Sequence, residues 1–296
     1  MIDKAALAFL SIQFAAQPTL NQLFVPKNAI PTACVMVTEL LKIGIAAIIL
    51  LSSQSGRQSL VQWRFFDCLY YAGIPAASYA IQNLLIFTAY NNLDGLTFNL
   101  INQAKLLTTA LLAYFILGST QSPRQVLALV FLFTSAVIAV SSDQSTTAAG
   151  DRTVGLVAII SGTCLSGFGA VMSERAVCAS NRNSLLFSAE LGLIGLASLI
   201  ALSAWSGELN KILEIGIWSA GPGSLAGMIP GVSQALGGLV IGYVTKTSGS
   251  VKKGLSVIVG LLLTASLNST TLVMWGVAIP LAALGIWLHS SKIHKD

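Results

Sequence analysis

Charge is what this chain has least of: 11 acidic residues, 16 lysines and arginines and two histidines in 296 residues, so that 9% is charged where an ordinary soluble domain carries about a quarter. That scarcity excludes a water-soluble globule. The four cysteines, Cys34, Cys68, Cys164 and Cys178, form no CxxC pair and have no histidine neighbours, which argues against a zinc site or a disulfide framework. There is no Walker loop, HExxH, GxSxG or DxD-like pair of intramembrane carboxylates, and no basic tract suited to nucleic acid. No cofactor or metal is called for, and the chain does not read as an enzyme. A membrane-embedded enzyme acting on lipid-linked sugars would need a metal or acid cluster at one interface, which is missing. Glu39 and Glu190 are the acids that fall at membrane depth, thin material for a proton relay.

What is present is apolar: 54% hydrophobic residues and a mean hydropathy of +0.78. The apolar residues run in stretches near the roughly 20 residues that a spanning helix needs, without strand-like alternation. The spacing predicts an all-α integral membrane protein of ten transmembrane helices over 5–25, 31–52, 66–90, 95–118, 123–141, 154–177, 184–205, 217–245, 250–268 and 270–289. The polar segment 142–153 reads as a lumenal linker between a first repeat, 1–141, and a second, 154–296, which ends in a short cytosolic tail. Five spans per half give inverted repeats, a common transporter construction with its site between them. Gln103-Ala104-Lys105-Leu106-Leu107-Thr108 echoes Val251-Lys252-Lys253-Gly254-Leu255-Ser256 in the other half.

Ten spans put both termini on one side. That side collects Lys4, Arg57, Arg64, Arg124, Arg175, Arg182, Lys246, Lys252, Lys253, Lys292 and Lys295, against Lys27, Arg152 and Lys211 opposite. The bias predicts cytosolic termini.

Lys42 and Lys105 stay inside the membrane. A cation at the centre of a span costs roughly 2.5 to 3.5 kcal/mol on insertion scales, so it faces a cavity or a partner. In a continuous fourth helix Phe98, Asn102, Lys105 and Thr109 share one face, a wall suited to a base or sugar plus a phosphate. The plainer alternative is neutralisation of Lys105 by a buried carboxylate such as Glu190. Glu39 and Lys42, three residues apart, fit an intrahelical ion pair as well as a gate or pocket rim. Gln82, Asn83, Asn99, Asn102, Gln103, Ser233 and Gln234 add amides and hydroxyls at depth, some of them bonding helix to helix. Lys253 and Lys252 stand at a helix entrance, where backbone amides help to bind a phosphate or where lysines snorkel toward membrane lipids.

Thr38-Glu39-Leu40-Leu41-Lys42, Tyr79-Ala80-Ile81-Gln82-Asn83, Asn91-Asn92-Leu93-Asp94, and Gln103-Ala104-Lys105 with Leu106 to Leu111 together resemble the nucleotide-sugar transporter family, in the branch carrying CMP-sialic acid and UDP-galactose. The resemblance continues through Glu174-Arg175, Glu190 to Leu193, Gly237-Gly238-Leu239 and Lys253 to Ser256. It implies a ten-helix drug/metabolite-transporter fold in Golgi or ER membrane, with a plastid or other organelle left open. The implied function is exchange of a cytosolic UDP- or CMP-sugar for a lumenal nucleoside monophosphate by alternating access. An exporter or exchanger of another phosphorylated or amphiphilic metabolite is the alternative on that fold, and homodimerisation stays open. By the same resemblance Asn83 and Lys105 contact the nucleotide, Lys253 the phosphate, and Glu39 and Lys42 lie near the rim. Phe98, Ser188, Glu190 and Gly242 fall at pocket positions where the family more often has tyrosine, asparagine, glutamine and a serine or similar polar residue, which leaves the sugar and base open.

Overall fold

A computed structural model describes residues 2–93, 95–141, 151–179, 182–268, 276–277 and 279–290. Among them every regular element is helical: α1 (Ile2–Phe24), α2 (Pro31–Ser52), α3 (Gln54–Val61), α4 (Phe65–Asn92), α5 (Gly95–Asn102), α6 (Lys105–Leu117), α7 (Pro123–Ser141), α8 (Arg152–Ala179), α9 (Ser184–Ser206), α10 (Glu208–Ile215), α11 (Ile217–Ala220), α12 (Met228–Asn268) and α13 (Ile279–Ser290). Most of the expected linker, 142–150, lies outside the described residues. Helices α2, α8, α9 and α12 are long and apolar enough to cross a membrane, and α6, α7 and α13 are shorter apolar helices. The chain is a membrane protein.

Local chemistry sets many of the helix ends. Pro31 opens α2 at a position where a missing N–H costs nothing. Ser122 and Gln125 bond each other's backbone amides at the start of α7, a reciprocal cap. Asn183 accepts from Leu185 N at 3.0 Å to begin α9. Gly118 and Gly207 close α6 and α9 in the left-handed conformation that other residues resist.

Three expectations need correction. The fourth span is two helices, because residues 103–104 form a turn between α5 and α6. The eighth begins at Met228, with 217–220 set apart as the short α11. The polar breaks at 52–64 and 207–214 themselves contain helices, α3 and α10, too short and polar for an apolar-run reading to find.

The chain divides into two compact units. The first takes Met1–Ala80 and Met172–Gly249, the second Ile81–Val171 and Ser250–Asp296. In the first, α2 packs along α9, with Ala46, Ala189 and Leu239 buried together. In the second, α7 packs along α13 through Gly285, where a Cβ would stand 2.8 Å from Leu132 Cγ. A larger core there joins Leu106, Leu129, Leu132, Val171, Ile258 and Leu262.

Candidate functional site

In the second unit the turn at 103–104 places Lys105 as the first residue of α6, partly buried, with no side chain capping the helix. Its carbonyl accepts from Thr109 Oγ1 at 2.6 Å and Thr108 Oγ1 at 3.0 Å. Thr108 also reaches Thr163 O on α8 at 3.2 Å. That approach needs Gly167, whose added Cβ would lie 3.0 Å from Thr108 Oγ1 and Thr109 N. One hydroxyl, that of Thr108, and one glycine thus hold the first turn of α6 against α8, while Thr109 spends its hydroxyl on the backbone of α6.

Lys253 belongs to the same unit, in the first turns after α12 breaks at Gly249 (φ 84°, ψ 164°). Gly254, the next residue, packs on Leu106, the residue after Lys105: a Cβ there would come within 2.7 Å of Leu106 Cδ1. The two echoing segments therefore meet. Among the described residues neither lysine has a carboxylate partner within 4 Å. Two cations beside the beginnings of two helical segments form an end that favours an anion.

The remaining candidates of this unit are less clearly placed toward a ligand. Asn83 is exposed on α4 and Asn102 ends α5, partly buried. Phe98 is 1% exposed, packed among Ala89, Leu93, Ala158 and Ile159. Of the wall expected from Phe98 to Thr109, Phe98 is taken up by core packing and Thr109 by its bond to the Lys105 carbonyl, and a turn at 103–104 stands between Asn102 and Lys105.

In the first unit Glu39 and Lys42 form the intrahelical ion pair that their spacing allows. The pair is flanked by two glycines. A Cβ at Gly192 of α9 would lie 3.0 Å from Glu39 Oε2 and Lys42 Cε, and one at Gly238 of α12 would lie 3.0 Å from Lys42 Cδ.

Glu190, 1% exposed, is claimed by two partners of its own unit. Arg182 donates to both carboxylate oxygens, through Nε to Oε2 at 3.1 Å and through Nη2 to Oε1, and Trp63 Nε1 donates to Oε1 at 2.9 Å. The guanidinium also lies 5.0 Å from the centre of the Tyr71 ring, and Lys246 Nζ donates to the Arg182 carbonyl at 2.8 Å. By sequence Arg182 reads as a cytosolic-loop residue; the signal for its role is that a buried carboxylate requires a cation. Ser188, 4% exposed, packs directly on Gly242, so the two positions read as pocket positions fill each other's space.

A family model described as nucleotide-sugar transporter matches residues 2–288. The UDP-N-acetylglucosamine transporter ROCK1 of Arabidopsis thaliana is 31% identical over 269 residues, covering 88% of this chain and 81% of the relative. The UDP-galactose translocator of Homo sapiens is 28% identical over 304 residues, 97% of this chain and 73% of the relative. A solved crystal structure superposes with a TM-score of 0.68 at 14% identity, over 97% of this chain and 96% of that one.

Proposed function

Because this chain belongs to the nucleotide-sugar transporter family, we propose that it carries a UDP-sugar across the membrane in exchange for a nucleoside monophosphate, by alternating access. The observation that carries the reading is the meeting of the segments that bear Lys105 and Lys253, each just inside a helix beginning and, among the described residues, neither paired with a carboxylate. The diphosphate of a nucleotide sugar, or the phosphate of a monophosphate, satisfies them equally, which suits an exchanger. The uridine nucleotide is proposed from the names of the relatives, a UDP-N-acetylglucosamine transporter and a UDP-galactose translocator.

We further propose ten spans in two inverted repeats, 1–141 and 154–296. Two observations support this. The echoing segments around Lys105 and Lys253, one from each half, lie against each other. The compact units also pair like with like: the first takes α1, α2 and part of α4 with part of α8, α9 and the first part of α12. Numbered as spans, these are one, two and three with six, seven and eight, a set that a shift of five spans maps onto itself. In the second unit we assign Lys105 and Lys253 to phosphate and Asn83 and Asn102 to the base or ribose, and in the first unit Glu39 with Lys42 to gating. Phe98, Ser188 and Glu190 act through packing and pairing. Cytosolic termini and a Golgi or ER membrane follow from the lysine and arginine bias and the family.

Exchange in reconstituted vesicles tests this. Vesicles preloaded with UMP take up labelled UDP-N-acetylglucosamine or UDP-galactose, and those loaded with GMP do not. Equal uptake with every preload, or with none, contradicts the exchange.

A further inference from the structure

Glu174 is an acid on α8, a helix long and apolar enough to cross a membrane, and no step above uses it. It lies in the first unit, partly buried, one turn before Cys178, so the two side chains share a face of the helix. That face is turned to the end of the first part of α12. Cys178 Sγ donates to the carbonyl of Lys246 at 3.5 Å, and the Glu174 carboxylate lies against Gly249.

Both contacts fall where α12 breaks. Gly249 has φ 84° and ψ 164°, a conformation essentially reserved for glycine. A break of this kind leaves the last carbonyls before it and the first N–H groups after it short of helical partners. The helical donor to the Lys246 carbonyl would be the N–H of residue 250, on the far side of the break. The Cys178 thiol offers that carbonyl a weak substitute. The freed N–H groups need the opposite, an acceptor, and a carboxylate is what α8 presents one turn earlier. A Cβ built on Gly249 would stand 2.9 Å from Glu174 Oε1 and 3.5 Å from Oε2, so the acid fills the side-chain space that the glycine leaves vacant.

The charge suits the place. Negative charge is favoured at the beginning of a helical segment by the aligned peptide dipoles and free N–H groups there. The segment that begins after Gly249 reaches Lys253 in its first turns, so the angle of the break sets where that lysine leaves the backbone. Glycine permits the angle but does not select it, because it populates several conformations about equally. Selection has to come from a neighbour. Outside the backbone of α12 itself, the three atoms nearest the vacant position all belong to the Glu174 carboxyl group.

We propose that Glu174 is a positioning residue for the transported anion: its carboxylate selects the break at Gly249 and thereby sets the place of Lys253. Cys178 assists by holding the last turn before the break. This role rests on the assignment of Lys253 to phosphate, and it names the residue that fixes where that lysine stands.

The full chain in lipid nanodiscs and vesicles tests this with Glu174→Gln, which keeps the size of the side chain and removes its charge. Without nucleotide, hydrogen exchange at the amides of residues 250–253 becomes about tenfold faster in the variant, the effect of losing one bond to a charged group. In vesicles preloaded with UMP, KM for a labelled UDP-sugar rises about tenfold with the maximal rate little changed, the signature of lost binding. Glu174→Asp, which keeps the charge, stays near the wild type in both. Glu174→Gln and Gly249→Ala act at one contact, so their effects on KM are not additive, and the double variant is little worse than Gly249→Ala alone. Hydrogen exchange unchanged by Glu174→Gln, KM unchanged while hydrogen exchange quickens, Glu174→Asp behaving like Glu174→Gln, or additive effects in the double variant would overturn the role. A wild type that transports no UDP-sugar contradicts the transport reading alone, since the amide readout needs no nucleotide and still decides whether Glu174 holds the break.

Discussion

Glu190 and Arg182 show how a carboxylate survives burial in an apolar helix: each oxygen of the acid is met by the guanidinium, and the indole of Trp63 adds a third donor. Removing the acid strands a largely buried cation, and breaking such a pair costs about 3–5 kcal/mol. Glu190→Gln is therefore expected to lower the melting temperature of the purified protein sharply, while replacing Arg182 and Glu190 together by Met and Leu restores most of it. A melting temperature untouched by Glu190→Gln would show that the pair does not hold the fold. Ser188 and Gly242 offer a second residue-scale test. Gly242→Ser is expected to destabilise because its Cβ enters the space of Ser188 Oγ, and Ser188→Gly to relieve that loss in a double-mutant cycle. Lys105, Glu39 and Lys42 stood out in the sequence because an intramembrane charge is expensive and must be explained, and Lys253 because it opens a helical segment that echoes the one around Lys105. Arg182 was not, since its chain position reads as a loop and only the fold brings it to Glu190.

At the scale of elements, legibility followed local punctuation. Helices α2 and α7 begin where proline and a reciprocal cap announce them, and α9 where Asn183 accepts the first free amide. The break between α5 and α6 has no such mark: Gln103-Ala104 contains neither glycine nor proline, and the turn of α6 that follows it is held through Thr108 by Thr163 and Gly167 from distant sequence. The kink in α12 has a glycine, but Gly249 looks like many others until its dihedral angles are known. Its φ of 84° and ψ of 164° lie in a region essentially reserved for glycine, where another residue costs about 1–3 kcal/mol. A Cβ would also stand 2.9 Å from Glu174 Oε1. Gly249→Ala is expected to lower the melting temperature and to displace the helical segment that carries Lys253, weakening nucleotide binding. Unchanged binding and stability would show that α12 tolerates a different bend.

At the scale of the whole molecule, ten spans, two repeats and exchange stand or fall with the anion site. The sequence echo is short, yet it names two segments that meet, with Gly254, next to Lys253, packed on Leu106, next to Lys105. A hydrogen bond to a charged group contributes about 1.5–3 kcal/mol, so removing either lysine should weaken nucleotide-sugar uptake roughly ten- to a hundredfold. The decisive measurement is UMP-driven uptake of a labelled UDP-sugar by vesicles containing the wild type, Lys105→Ala or Lys253→Ala at matched protein content. The account predicts uptake by the wild type and its loss on that scale in both variants. Wild-type rates in both would contradict it.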